Sequence, residues 1–223
     1  PMKTIRCAVA ALAFAGSAVA DTINVPAGGD TQAAINGTSD GDIILLEAGE
    51  YFPEATIDTL GKAISIIGTT DPKTGAPTSI IDGHESMRVL ICQTGETDTT
   101  VFENLLITGG YISDYGGGMY NSNSSPTLTG CTFTGNSVES DGGGMFNHNS
   151  SPTLTDCTFT DNSAFGGGGM SSYYHSSPTL INCASTNNSA PGGGGGMICD
   201  GGSTKLPGRS YDSNATDYAD GMD

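Results

Sequence analysis

Aromatic side chains recur directly after the glycine-rich blocks of this sequence, although aromatics make up only 7% of its 223 residues. Successive side chains of a strand point to opposite faces, so inward methionines place these aromatics outward. Aromatic faces stack on sugar rings, and we predict a carbohydrate-binding surface formed by Tyr120, Phe146, His148, Tyr173 and Tyr174. Cross-strand stacking that only stabilises a sheet is the alternative. We expect the outward Tyr120 and Phe146 to be dispensable for stability.

Few residues could cleave a polysaccharide. A glycosidase needs two carboxylates about 5–10 Å apart, and Asp156 and Asp161 are the nearest candidates. Each is also typical of a solvated turn. The histidines are scattered, and the glycine blocks match neither a phosphate-binding loop nor a dinucleotide fingerprint. We therefore predict no catalytic residue and favour a protein without enzymatic activity.

The charge balance excludes several partners. Lys and Arg number 7 against 24 Asp and Glu, a formal net charge of −17. Nucleic acid and anionic membranes are therefore excluded as partners. Carboxylates and turn carbonyls suit calcium, but no loop has a recognisable calcium spacing. We predict no cofactor and leave calcium open.

The start of the chain has the pattern of a secretory signal peptide. A basic stretch, Met2–Arg6, precedes an apolar run from Cys7 to Ala15 and a small-x-small site at Ala18–Ala20. The apolar run is too short to span a membrane. Residues 1–20 are therefore predicted to be removed, which leaves 5 basic residues against 24 acidic ones and a charge of −19. The mature chain is expected to be secreted or held at the cell surface.

A repeat of about 26 residues governs much of the chain. Glycine blocks that end in methionine recur, as does the sequence Ser-Pro-Thr-Leu, and three cysteines follow one another at the same interval. Fixed self-similarity over this length predicts a repeat architecture. The aligned positions are Met119/Met145/Met170/Met197, Leu128/Leu154/Leu180, Cys131/Cys157/Cys183 and Asn136/Asn162/Asn188.

Apolar and polar residues alternate within each copy. Leu128, Cys131 and Phe133 can face inward together in strands that bend at Gly130, but not in a helix. Each coil then stacks about 4.8 Å above the last, with like residues in register. The sequence therefore predicts an all-β solenoid whose core consists of the aligned columns, with asparagine amides bonded from coil to coil.

Five cysteines remain after the predicted signal peptide. Export permits disulfides, but an odd number leaves at least one thiol unpaired in a monomer. Without a Cys-x-x-Cys pair, a zinc site is not expected. The column of Cys131, Cys157 and Cys183 is predicted to pack in the core, and a coil-to-coil disulfide stays open.

Residues 21–110 show the same pattern of short strands with more variation. The segment Asp30–Asn36 predicts one or two turns of helix with Asp30 as N-cap. Such a helix would cover the open end of the solenoid, where the first coil is otherwise an unpaired edge. The mature length corresponds to roughly seven coils in one domain, residues 21–199. Residues 200–223 lose the repeat and are expected to form an irregular tail or a truncated end.

Several segments resemble the opening of bacterial right-handed parallel β-helix proteins of the pectin-lyase-like superfamily. They are Asp21–Val25, Ala33–Ile35, Gly41–Ile44, Gly49–Tyr51, Lys62–Ile64, Ile81–Gly83 and Leu106–Gly110. The Gly-Gly-Gly-Met and Phe-x-x-Asn blocks are similar to repeats of polymorphic outer-membrane proteins. The resemblance implies a right-handed parallel β-helix up to about Met197, but this superfamily holds lyases, hydrolases, adhesins and proteins without known chemistry.

The resemblance also indicates which catalytic groups a lyase of this fold would need. β-helix lyases resemble one another in using an Arg or Lys base with calcium or another cation. The mature chain offers only Lys62, Lys73, Arg88, Lys205 and Arg209. None lies in the regular repeats, where a groove would be built, and Lys62 is interpreted as a turn residue. A polysaccharide lyase or glycoside hydrolase acting on acidic glycans is therefore an alternative function.

Threonine pairs suggest a third class of function. Regular outward Thr arrays resemble ice-binding faces, but Thr is also a good exposed strand residue. The pairs are Thr127/Thr129, Thr132/Thr134, Thr153/Thr155 and Thr158/Thr160, and the next copy breaks the array at Ile181 and Ala184. We expect an exported, non-catalytic β-helix surface or matrix protein that binds polysaccharide or mediates adhesion, with ice binding as the second alternative.

Overall fold

The computed structural model describes residues 19–200 together with the strands Ser210–Asp212 and Ala215–Thr216. The chain winds into a β-solenoid of about six turns, close to the roughly seven coils expected. Successive turns contribute strands to three parallel sheets, named sheets A, B and C. The predicted signal peptide lies almost wholly outside the described residues and stays a prediction.

Sheet A contains Thr22–Val25, Ile43–Leu46, Ser65–Ile67, Val101–Glu103, Thr127–Thr129, Thr153–Thr155 and Thr179–Ile181. Sheet B contains Gly49–Tyr51, Ser79–Met87, Leu105–Ile112, Thr132–Thr134, Thr158–Thr160, Ala184–Thr186 and Ser210–Asp212, with Ser137–Val138 paired beside it. Sheet C contains Ile57–Asp58, Leu90–Cys92, Met119–Ser122, Met145–His148, Met170–Tyr173 and Met197–Cys199. A short separate pair joins Ser189–Ala190 to Ala215–Thr216.

The strand register confirms the predicted core columns. Leu128, Leu154 and Leu180 lie opposite one another in sheet A, and all three are buried. The methionines of the four glycine blocks align in the same way in sheet C. The core is thus a set of stacks along the solenoid, because each coil repeats the inward residues of the coil before.

The bend between sheets A and B needs a left-handed backbone. Gly130 has a φ of 61°, and Asp156 and Asn182, the equivalent residues of the next two coils, have a φ of 54°. Gly, Asp and Asn adopt this conformation more readily than other residues. Asp161 has the same φ of 54° at the corner after Thr158–Thr160. Both aspartates are exposed, and their backbone geometry accounts for them as turn residues.

A ladder of buried asparagines crosses the coils, as predicted. Asn136 Nδ2 donates to Asn162 Oδ1 over 3.0 Å, and Asn162 Nδ2 donates to Asn188 Oδ1 over 2.9 Å. The same three amides each donate to a backbone carbonyl of the preceding coil. Because these buried amides are hydrogen-bonded, the ladder joins coils without the penalty of unsatisfied polar groups.

The helix Thr31–Gly37 lies at the N-terminal end, with Asp30 as its N-cap, as predicted. The Asp30 carboxylate accepts a hydrogen bond of 2.9 Å from the Ala33 N–H. Ile35 is fully buried in the core. Lys62 Nζ donates to the Ile35 carbonyl at the other end of the helix, where a cation complements the helix dipole. Lys62 therefore anchors the helix to the first coils.

Strand pairing continues past the point where we expected an irregular tail. Ser210–Asp212 extends sheet B beside Ala184–Thr186, and Ala215–Thr216 pairs with Ser189–Ala190. Each added strand begins one full period of the repeat after its partner, so the period persists although the glycine and threonine motifs have ended. The remainder of residues 201–223 lies outside the described residues.

Glu96 is a buried carboxylate that joins neighbouring coils. It is 3% exposed, and its Oε1 accepts from the Thr59 hydroxyl at 2.7 Å and from the Gly61 N–H at 2.8 Å. Its Oε2 accepts from the Thr94 N–H and the Ser124 hydroxyl, both at 2.8 Å. Burial by itself would raise the pKa of Glu96, but these donors outweigh it and hold the pKa below its ordinary value.

Replacing Leu154 by Ala should lower the free energy of unfolding by about 2–5 kcal/mol, because the change leaves a cavity in a buried column. Thr155→Ala, on the outward side of the same strand, is the matched control and should change it by about 0.5 kcal/mol or less. Urea unfolding followed by circular dichroism measures both variants. Equal effects would show that the inward and outward faces are wrongly assigned.

Glu96→Gln should lower the free energy of unfolding at neutral pH by about 1–3 kcal/mol, because an amide cannot replace the carboxylate as acceptor of four hydrogen bonds. Since folding lowers the pKa of Glu96, its contribution is present above the ordinary value of 4.5 and is lost as the pH falls through the folded value. Below about pH 5, the melting temperature of this variant should therefore fall less with decreasing pH than that of the wild type.

Glu54→Gln, at an exposed glutamate, is the control for the removal of one charge and should follow the wild-type curve. If acid lowered the melting temperature of the wild type and of the Glu96 variant equally, the role assigned to Glu96 would be contradicted.

Candidate functional site

Three strands of sheet C carry the predicted aromatic strip. Tyr120 lies opposite Phe146, and His148 lies opposite Tyr173. The partner of Phe146 in the following coil is Ser171. The register therefore places Tyr173 in line with His148 and not with Tyr120 and Phe146.

The third copy differs from the first two directly after its methionine. Ser171 follows Met170, where Tyr120 and Phe146 follow the methionines of the two coils before, and Met170 also follows Met145 one position sooner than Met145 follows Met119. The following corner is longer: Tyr174 and His175 occupy it, where the coil before has Asn149. Tyr174 has a φ of 55°, a left-handed conformation that bulky residues rarely adopt.

The rings of the strip stack on one another. The ring centroids of Tyr120 and Phe146 are 5.7 Å apart with 1° between the planes, and those of Phe146 and Tyr173 are 5.6 Å apart with 24°. Tyr115 also stacks on Phe146, at 4.4 Å. Phe146 is consequently only 3% exposed. The expectation that Phe146 is an accessible side chain is therefore wrong, because three rings cover it, and we now expect its removal to lower stability.

Arg88 lies at one end of this stack. Its guanidinium carbon is 4.6 Å from the centroid of the Tyr120 ring. Its Nε and Nη2 donate to the Tyr115 carbonyl, and Nε also donates to the Gly116 carbonyl. Burial lowers the pKa of Arg88, although an arginine stays charged at any working pH. We expected no basic residue beside the groove, but the preceding coil brings Arg88 next to it.

A groove of about 370 Å³ opens beside the stack. All five predicted residues line it, together with two that the strip pattern did not include. The full lining is Tyr115, Tyr120, Asp141, Phe146, His148, Tyr173 and Tyr174. Tyr115 and Asp141 each directly precede a glycine block and lie one period of the repeat apart, which is the signal that could have identified them.

The groove disfavours negative charge. Asp141 is half-buried, and burial raises the pKa of its carboxyl group against the lowering effect of hydrogen bonds from Ser140 and Gly166. Burial, followed by the nearby charges of Asp141 and Asp200, raises the pKa of Tyr173 to about 12. Neither Lys nor Arg is present in the described lining to offset the Asp141 carboxylate.

His148 and Tyr174 form the accessible part of the groove. Their ring centroids are 4.6 Å apart and their planes are tilted by 49°. The Tyr174 side chain is 65% exposed. His148 Nδ1 is buried and has no hydrogen-bond partner among the described residues. The exposed Tyr174 ring, with the His148 ring beside it, can pack on the apolar face of a ligand.

The other basic residues are not in the groove. Lys62 anchors the helix, and Lys73 lies in an exposed turn. Lys205 and Arg209 fall outside the described residues. Within residues 19–200, no cluster of three or more His, Cys, Asp or Glu side chains is placed to hold a metal ion. Calcium therefore stays a hypothesis.

The cysteine column and the threonine rows belong to the scaffold. Cys131, Cys157 and Cys183 are free and buried, and the contact with the Cys157 thiol, together with burial, raises the pKa of Cys183. A reactive thiolate is accordingly disfavoured there. The two threonine pairs of each coil lie in different sheets, A and B, so they do not form one flat face.

Stacked parallel coils with one aromatic groove define a β-helix that carries a candidate ligand site. The chain belongs to the right-handed β-helix family, because the family model of the right-handed beta helix region matches residues 78–209. The fold predicted from the repeats is thereby confirmed. No helix in the described part of the chain is both long and apolar enough to cross a membrane.

No curated protein matches the chain. Among solved structures, the PL6 family alginate lyase AlyGC is similar to this chain, with 10% sequence identity and a TM-score of 0.40. The match covers 86% of this chain and 39% of that one, so the chain spans about two-fifths of the enzyme's length. The likeness concerns the fold alone.

Phe146→Ala should lower the free energy of unfolding by about 3–5 kcal/mol, because it empties the space between three stacked rings. Tyr174→Ala, which removes an exposed ring of the same groove, should change it by about 0.5 kcal/mol or less. Chemical unfolding curves of both variants provide the test. A small effect of Phe146→Ala would mean that the stack adds little to stability.

Proposed function

We propose that this chain is an exported, non-catalytic β-helix protein that binds a polysaccharide chain in the aromatic groove. The observation that carries the proposal is the grouping of an exposed Tyr174 ring, the His148 ring beside it and the Asp141 carboxylate around one groove. A sugar ring offers an apolar C–H face and several hydroxyls, which match an aromatic face and nearby polar atoms. A volume of about 370 Å³ is within the range of small-ligand sites, about 300–1,000 Å³.

The two kinds of ring in the groove serve different purposes in this proposal. Tyr120 packs against Arg88 from the coil before and Phe146 from the coil after, so its ring faces are occupied by the protein. Tyr173 likewise packs on Phe146. These tyrosines can offer ring edges and hydroxyls to a ligand, while Tyr174 offers an open face.

The backbone of Tyr174 supports a binding role. A left-handed conformation costs a bulky residue about 1–3 kcal/mol, and such residues cluster at ligand clamps and active sites. The long corner places this strained residue beside His148, at the mouth of the groove. We interpret the strain as the cost of holding an aromatic ring where a ligand can reach it.

The placement of the lysines and arginines disfavours a lyase that uses a Lys or Arg base, and this supports a non-catalytic function. A general base must lie within hydrogen-bond reach of the proton that it removes. Among the described residues, Lys62 is bonded to the helix end, Lys73 lies in a distant turn and Arg88 is bonded to backbone carbonyls. Export is proposed from the predicted signal peptide, and adhesion to a glycan-bearing surface would follow from the same binding site.

A glycan array probed with the full chain should identify at least one bound polysaccharide. Tyr174→Ala and His148→Ala should each weaken binding of that glycan by about fivefold or more, since a ring stack contributes on the order of 1 kcal/mol. Phe165→Ala removes an aromatic of similar exposure, 61%, outside the groove lining and is the matched control. Isothermal titration measures all three.

Unchanged affinity in Tyr174→Ala would place the binding site elsewhere. Release of unsaturated sugar ends from the bound glycan, with or without calcium, would replace the non-catalytic proposal by a lyase.

A further inference from the structure

The ionisable groups of the groove are unbalanced in sign. Asp141 is the one carboxylate of the described lining, and neither Lys nor Arg accompanies it there. Arg88, which packs on Tyr120 next to the groove, directs its guanidinium to the carbonyls of Tyr115 and Gly116. Among the residues that the structure describes, a ligand in the groove therefore meets a half-buried carboxylate without a Lys or Arg in the lining to balance it.

The surroundings of Asp141 make an added anion unfavourable. The same burial and neighbouring charges that shift Asp141 and Tyr173 away from their charged forms would act on a carboxylate of a ligand. The chain as a whole has a formal charge of −17, which repels polyanions at long range. This long-range part is screened beyond about 8 Å at physiological salt, whereas contact with Asp141 is not.

We infer that the groove accepts uncharged sugar chains and rejects uronate- or sulfate-bearing ones, with Asp141 as the residue that sets this selectivity. The inference rests on the proposed function and deepens it. A carboxylate oxygen accepts hydrogen bonds from sugar hydroxyls, and such charge-assisted bonds are stronger than neutral ones. The same oxygen repels a sugar carboxylate or sulfate that has no cation to shield it.

Polysaccharide pairs that differ mainly in charge test the inference. Suitable pairs are fully methyl-esterified pectin with polygalacturonate, dextran with dextran sulfate, and hydroxyethylcellulose with carboxymethylcellulose. The full chain is titrated with both members of each pair in EDTA, at about 0.15 M and about 0.5 M salt. In every pair that binds, the uncharged member should bind about tenfold more tightly or better at both salt concentrations.

Two aspartate variants separate the local effect from the general one. Asp141→Asn should reduce the ratio of the affinities for the uncharged and charged members of a pair by about fivefold or more. The reason is that it removes the carboxylate that lines the groove. Asp156→Asn removes the same charge from an exposed corner outside the groove and should leave this ratio unchanged. Melting temperatures of both variants verify that they are folded. The comparison of charged and uncharged polymers on the wild-type chain does not depend on these variants.

The outcomes distinguish the inference from the function on which it rests. If a charged member binds as tightly as its uncharged partner and Tyr174→Ala weakens that binding, the selectivity is overturned and the binding groove stands. If calcium in place of EDTA makes the charged member the tighter ligand, the selectivity is overturned as well, because a bridging cation reverses the charge argument. If no polymer binds, or if binding ignores Tyr174→Ala, both the selectivity and the proposed function fail. If Asp141→Asn leaves the affinity ratio between uncharged and charged members unchanged, Asp141 does not set the selectivity.

Discussion

Parallel hydrogen bonding between successive coils is the interaction on which the rest of this structure depends. It places residues one period apart directly above one another, so a single favourable contact in one coil is repeated in the next. The leucine and methionine columns, the asparagine ladder and the aromatic stack all follow from this register. A solenoid of this kind has a long, thin core, and its stability comes from contacts between neighbouring coils.

The same stacking limits what the aromatic strip can do. A ring that packs between rings of adjacent coils gains stability, but it no longer offers its face to a ligand. Phe146 is the extreme case, since Tyr115, Tyr120 and Tyr173 cover it. Tyr174 escapes this constraint because it occupies a longer corner outside the regular ladder. Departure from the repeat, and not the repeat itself, therefore produces the accessible ring.

Two partly or fully buried carboxylates show how the surroundings determine the chemistry of one functional group. Glu96 accepts four hydrogen bonds, and these lower its pKa in spite of burial. In Asp141 the effect of burial exceeds that of its hydrogen bonds, and its pKa is raised. The first carboxylate is therefore a structural anchor, whereas the second retains acceptor capacity that faces the groove.

The sequence by itself determined the period, the inward columns, the bend at Gly130, the capping helix and five of the seven side chains that line the groove. In-register stacking converts a fixed spacing along the chain into contact, which is why these features were predictable. The tertiary structure alone decided that Tyr115 covers Phe146 and that Arg88 packs on Tyr120. These contacts depend on how side chains from different coils extend across a corner. They do not follow from the repeat, because a period specifies which residues are stacked and not the direction in which their side chains extend.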